Sequence, residues 1–265
     1  MKSIRLYIPG IISILFTGML IVSCNKTFDE KIALQTDFTN SSTLQIYNTM
    51  VNSTRNFLYV DGKVINGGAP MTPGTLFPAT GSGFSVASGD RAFLVRDTLT
   101  ATTQLPLSFA QNLKAAKSYT LFMYDTITSA MQKIVENNVV VPADTSCRLR
   151  FANFVFSKVA IPAIDIYSAN KKANLFTNVQ ITDVTNYIPY PSGIIDTFSV
   201  RLTGTNIDLM NITPPTPLPG NVLTPIRSIF TPSAKRSYTF IFRGSYTTSL
   251  TTASQVRSLS VFLSN

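Results

Sequence analysis

Histidine and tryptophan are absent, and cysteine occurs only twice in 265 residues. Without histidine there is no Ser-His-Asp or Cys-His catalysis and no histidine-ligated metal site. Without tryptophan the strongest stacking ring for a sugar is missing. Charge is sparse at 13 %, and acids are the scarcer sign: 13 Asp and Glu against 22 Lys and Arg, for a net +9. The acids are dispersed, which disfavours both a calcium loop of the Asp-x-Asp-x-Asp kind and a glycosidase carboxylate pair. No segment carries the pattern of a long helix. No catalytic residue set is expected, and neither a cofactor nor a metal.

What remains is rich in Thr, Ser, Asn, Val, Ile, Phe and Tyr, the composition of an extracellular β-protein. The cations are scattered: Lys114, Lys117, Lys133, Arg148, Lys158, Lys171-Lys172, Lys235-Arg236, Arg243 and Arg257. Nucleic-acid binding would want them clustered among stacking aromatics, so no nucleic-acid partner is expected. They read as solvated strand edges and loops that discourage edge-to-edge pairing.

The first residues have their own logic. Lys2 and Arg5 precede an apolar stretch from Ile11 to Val22, and Ile21-Val22-Ser23-Cys24 follows. The stretch is short for a membrane span, which needs about 20 apolar residues. A basic start, an apolar core and a small residue before the cut form a secretory signal. The cysteine at the cut makes it resemble a bacterial lipoprotein signal, and that resemblance implies acylation of Cys24 and anchoring to the outer membrane. Asp29-Glu30 loosely resembles the acidic signal that sends some Bacteroidota lipoproteins to the cell surface; the surface and the periplasmic face both stay open. With Cys24 acylated, Cys147 has no intrachain partner and reads as a buried structural thiol. Residues 24–42 read as a flexible tether.

The rest contains a diverged internal repeat. Leu44-Gln45-Ile46-Tyr47-Asn48 matches Leu149-Arg150-Phe151-Ala152-Asn153, and Phe57–Val60 matches Ile164–Tyr167. Ser85–Gly89 matches Pro189–Gly193, Phe93–Arg96 matches Phe198–Arg201, and Lys117–Phe122 matches Arg236–Ile241. Each segment is short, β-branched or aromatic, and bounded by turn residues, which predicts strands of a sandwich. Leu107 to Lys117 has helix formers and could make a short helical turn. Asp208 to Pro232 is so rich in proline that it must be an extended loop. The expected organisation is a signal peptide over 1–23, a tether over 24–42, and sandwiches over 43–142 and 147–265. The short linker suggests two domains stacked end to end, with the first nearer the membrane.

The second copy resembles the domain-of-unknown-function family 4397 of bacterial surface and secreted proteins. The residues that carry this are Leu149–Asn153, Pro162–Tyr167, Leu175–Val179 and Val184–Gly193. Phe154–Lys158 is more apolar than the family's usual turn, and the first copy lacks the aspartate that Asp165 supplies in the second. The resemblance implies an immunoglobulin-like sandwich and no activity. The fold expected is therefore all-β: two tandem immunoglobulin-like β-sandwich domains after a lipoprotein signal peptide.

The functional expectation is a non-enzymatic, lipid-anchored envelope protein that binds a cell-surface protein or glycan. A glycan-binding lipoprotein of a polysaccharide-uptake system is the alternative. Candidate binding-loop residues are Tyr187, Tyr190, Asn211 and Asn221; Tyr187 and Tyr190 could stack on sugar rings or simply pack. Asp165 reads as a strand residue that caps a turn, with a calcium ligand as the sharper alternative. Asp97-Thr98-Leu99 and Asp125-Thr126-Ile127 resemble O-glycosylation acceptors of Bacteroidota, at Thr98 and Thr126.

Overall fold

A computed structural model describes residues 39–53, 55–80, 83–97, 104–211, 224–247 and 255–264. The residues described are all-β, with no helix among them. The first half carries β1 (Ser41–Asn48), β2 (Phe57–Val60), β3 (Lys63–Val64), β4 (Leu76–Phe77), β5 (Phe84–Ala87), β6 (Gly89–Arg96), β7 (Leu107–Leu113), β8 (Ser118–Tyr124) and β9 (Met131–Glu136). The second carries β10 (Cys147–Phe156), β11 (Ile164–Ser168), β12 (Ala173–Val179), β13 (Ile188–Tyr190), β14 (Asp196–Leu202), β15 (Arg227–Phe230), β16 (Ser237–Ser245) and β17 (Ser258–Leu263). Leu107–Leu113 is a strand rather than a helical turn. Its burial alternates, and it pairs with β6 from Gly89↔Leu113 to Val95↔Leu107. Alternation of Leu107, Phe109 and Leu113 overrides the helix-forming composition, because only period two puts these side chains on one face.

The two halves have the same sheet order. In the first, β5, β1, β8 and β9 lie side by side, with β4 also pairing β1; in the second the order is β13, β10, β16, β17. The opposing sheets run β3-β2-β6-β7 and β12-β11-β14-β15. In both halves the opening strand is parallel to the one that starts with Ser-Tyr, with Leu44↔Tyr119 in one and Leu149↔Tyr238 in the other. Each tyrosine hydroxyl accepts a backbone N–H five residues upstream: Lys114 N at 3.0 Å to Tyr119, and Ser233 N at 3.1 Å to Tyr238. The repeat read from the sequence is thus a repeat of pairing, with one correction. Phe57 lies opposite Arg96 and Asp165 opposite Arg201. The match of β2 to β11 therefore shifts by one residue, and Tyr59 corresponds to Tyr167. Each of these tyrosines lies under an arginine of the next strand, Arg96 at 4.9 Å and Arg201 at 3.4 Å from the ring centre. A one-residue slip exchanges the faces of a strand, and the short sequence match could not resolve it.

One core lies between each pair of opposing sheets. Leu44, Ile46, Leu58, Phe93, Val95 and Leu121 fill the first; Leu149, Phe151, Ile166, Phe198, Val200 and Phe240 fill the second. A third cluster joins the halves: Tyr47 and Phe122 from the first meet Ala152, Phe154, Ile241 and Phe262 from the second. Phe122 stacks on Phe154 at 4.5 Å, and Tyr47 meets Phe262 at 5.1 Å. Asp37–Asn265 is accordingly one compact unit. The end-to-end stacking expected from the short linker does not occur. The inner sheets pack face to face, so neither half precedes the other along an axis.

The seam also buries a set of polar side chains. Along β1, β8, β10 and β16 one face enters a core, and the alternate face holds Gln45, Thr120, Arg150 and Thr239. In a sandwich open to water these would be solvated. Here Gln45, Thr120 and Thr239 are fully buried and Arg150 is 2 % exposed. Gln45 Nε2 donates to Leu263 O at 2.9 Å, Lys133 Nζ to Thr182 O at 2.7 Å, and Arg150 spans the seam. Arg257 is also buried and donates to Met210 O, contrary to the solvated role expected for it.

Candidate binding surface at the seam and strand starts

β1, β8, β10 and β16 all begin at one end of the unit, named the base below. In both halves a backbone bond closes this end: Ala116 N donates to Ser41 O and Lys235 N to Ser146 O, each at 2.8 Å. Gly193 N is held by Pro232 O at 2.8 Å, and Ser192 Oγ by Thr145 O at 2.5 Å. The turn at Gly193, the linker and the loop before β16 therefore form one continuous rim.

Arg150 lies behind that rim. Its Nε donates to Thr239 Oγ1 at 2.7 Å, and its Nη2 to Asn137 Oδ1 at 2.7 Å and Thr120 Oγ1 at 3.2 Å. Its guanidinium carbon is 4.8 Å from the centre of the Tyr187 ring. No carboxylate pairs with it among the described residues. Burial lowers its pKa, and Tyr187 opposes that shift. A guanidinium held only by neutral acceptors and a ring face keeps an uncompensated charge, which draws an oxyanion to any opening beside it. Such an opening exists: a groove of about 450 Å³ lined by Arg148, Arg150, Asn138, Asn186, Tyr187 and Glu136. The buried Tyr187 hydroxyl has no hydrogen-bond partner among the described residues.

A second groove of about 620 Å³ shares Asn138 and Val140 with the first and adds Lys117, Lys235 and Arg236. Of the nearby carboxylates, Glu136 is 2.9 Å from Lys117, and this partner holds its pKa below the usual range. Asp144 accepts from Ser146 Oγ and N, which holds it low as well. Lys171 and Lys172 are exposed at the same end, beside Tyr190, Pro191 and Ile194. Cations that look scattered along the chain thus converge. The sequence held one sign of this, since the repeat sets Lys117 and Arg236 at the same place in each copy, just before Ser-Tyr.

The candidates drawn from sequence disperse. Tyr187 faces the seam groove and is half-buried. Tyr190 is 4 % exposed and lies in the second core, so its ring is not presented to a ligand. Its hydroxyl donates to Asp196 Oδ2 at 2.5 Å and also meets Ser168 Oγ, and burial with the Asp196 bond pushes its pKa up to about 12. Asn211 is tied to Thr224 through its backbone N–H. Asn221, Thr98 and Cys24 lie outside the described residues. Thr126 is half-buried in the β8–β9 connection, with its Oγ1 3.2 Å from Thr128 Oγ1.

Cys147 is fully buried and free, and burial raises its thiol to about 11. Asp165 is 2 % exposed and accepts from Asn174 Nδ2 at 2.8 Å, Asn178 N at 2.9 Å and Thr203 Oγ1 at 2.6 Å. These bonds pin an irregular stretch of the β11–β12 pairing, where Asn178 has φ 55°. Asp165→Ala is expected to cost about 2 kcal/mol by orphaning those donors, with melting unmoved by calcium or chelator. A calcium-dependent rise in melting temperature would make Asp165 a metal ligand instead.

No family model matches the chain, and no curated protein matches it.

Proposed function

We propose that the chain is a non-enzymatic, lipid-anchored cell-envelope protein whose two tandem immunoglobulin-like sandwiches act as one rigid binding body. The observation that carries this reading is the duplicated pairing, with a tyrosine bond repeated in each half, fused through a buried seam. A tyrosine whose hydroxyl reaches back to the backbone at the start of a late strand is a feature of immunoglobulin-type sandwiches. The strand order differs from that of antibody domains, since β10 lies beside β16, so the likeness is one of architecture. The resemblance to family 4397 belongs to the same proposal. Its motif residues have structural work: Asn153, inside β10, donates from Nδ2 to Val179 O at the end of β12, Asp165 locks β11 to β12, and Gly193 turns the chain at the base.

Lipidation is tested by growing a host that expresses the full chain with a clickable palmitate analogue. Label is expected on the wild type and not on Cys24→Ala, while Cys147→Ala stays labelled. Equal labelling of wild type and Cys24→Ala would remove the anchor from this reading.

A glycan-binding role in polysaccharide uptake is favoured by one specific feature. The groove beside Tyr187 presents the amides of Asn138 and Asn186 next to two arginines, donors that suit sugar hydroxyls and acidic substituents.

A further inference from the structure

We propose that the base is a docking face for an anionic lipid surface, in which exposed aliphatic side chains enter the interface and a ring of cations meets the headgroups. The proposal rests on the lipid-anchored reading and adds a second, protein-borne contact to it.

Three observations converge. The first is the apolar content of the rim. Ile194 and Ile195 are 56 % and 63 % exposed, and Val140 and Val141 are 68 % and 67 % exposed. They occupy the Gly193 turn and the linker, two segments of the rim. The second is the charge around them: Lys117, Lys171, Lys172, Lys235 and Arg236 are all exposed. Aliphatic side chains within a cationic surround are the pattern of segments that lie in a membrane interface. The base also holds Glu136, paired with Lys117, and Asp144, held by Ser146, but no ion pair engages Lys171, Lys172, Lys235 or Arg236 among the described residues; the opposite end exposes Leu105, Met131, Val159 and Ile207, with Asp125, Asp183 and Asp208 close by. The third is chain length. β1 begins at the base, and only 16 residues separate Cys24 from Ser41. A chain of that length spans at most about 55 Å, so an anchor at Cys24 tethers the unit from its base.

The physics makes such a face effective. Each Lys or Arg held near an anionic surface multiplies partitioning about fivefold, within roughly a Debye length. The base would therefore hold the unit upright against the membrane and turn its opposite end outward.

The test uses the chain from Cys24 onward with Cys24→Ser, so that no lipid contributes. It is sedimented with vesicles of phosphatidylcholine alone and of phosphatidylcholine with phosphatidylglycerol in a three-to-one ratio. Binding is expected to the anionic vesicles, to weaken with added salt, and to be slight on phosphatidylcholine alone. The pair Ile194→Ser with Ile195→Ser and the pair Lys235→Glu with Arg236→Glu should each lower the partition coefficient at least tenfold. Unchanged melting curves would show that both pairs are folded. Ile207→Ser, at the opposite end, should change nothing. Absent binding, binding indifferent to lipid charge, or binding that survives both pairs would overturn the proposal. So would capture by soluble polygalacturonate without capture by vesicles, which would assign the base to an acidic polysaccharide. Loss of palmitate labelling would remove the anchor alone and leave the vesicle result readable.

Discussion

Asp196→Ala is expected to lower stability by about 4 kcal/mol and to make the protein less sensitive to acid. The Asp196 carboxylate is 2 % exposed. Its Oδ2 accepts from Ser168 Oγ and Tyr190 Oη, each at 2.5 Å, and its Oδ1 from Asn170 N at 2.9 Å and Thr197 N at 2.7 Å. Removing it orphans these donors in the interior, at about 1–3 kcal/mol each before relaxation. The predicted loss corresponds to a fall in melting temperature of roughly 8–16 °C for a unit of this size. Burial by itself would raise the pKa of this group. The bonds from Ser168, Tyr190 and the two backbone N–H groups outweigh burial and bring it below the ordinary value. A carboxylate with a depressed folded pKa contributes stability that is fully present above its unfolded pKa of about 3.9. That contribution disappears as pH falls through the lower, folded value. Denaturant titrations at pH 7 and pH 3 should therefore show a large gap between wild type and Asp196→Ala that narrows at the acid end. A gap of the same size at both would mean that the carboxylate's charge is not what holds Ser168 and Tyr190.

Phe154→Ala should cost about 3–4 kcal/mol and break the cooperativity between the halves. Phe154 is 2 % exposed and stacks on Phe122 at 4.5 Å, with Tyr124 at 5.3 Å. It belongs to neither sandwich core, only to the seam. Each half keeps its own packed interior when the ring is cut away, so calorimetry should resolve two transitions where the wild type gives one. Arg150→Ala should act in the same direction, since it removes the one side chain that ties Thr239 Oγ1 of the second half to Asn137 Oδ1 and Thr120 Oγ1 of the first. A single transition at a lower temperature in both variants would mean that the halves are coupled mainly through the linker and base.

Much of the fold was legible in residue order. Tyr238, Phe240 and Phe242 alternate onto one face and do enter one core. Four of the five matched segments keep the same pairing register in both halves and the fifth, β2 against β11, shifts by one residue, because a repeat preserves the order and partners of its strands even as side chains and strand lengths diverge. The site was less legible. Tyr187 and Tyr190 look equivalent on either side of Pro189, yet one faces the seam and the other the core. Residues three apart on an extended chain point to opposite faces, and nothing local says which face is wet.

Composition, alternation and repetition by themselves determined a duplicated all-β architecture, borne out among the described residues, and the absence of histidine chemistry. Only the tertiary structure decided that the outer face of four strands would become a buried seam, and that Lys117, Lys171, Lys172, Lys235 and Arg236 would share one end. The physical reason is the same for both. Strand periodicity assigns a side chain to a face, but whether that face meets water, a core or a second sheet depends on contacts between different segments of the chain, from 13 to 218 positions apart here. Arg150 shows it most plainly: its place on β10 reads as a solvated position, and Asn137, Thr120 and Thr239 turn it into an interior charge at the edge of a groove.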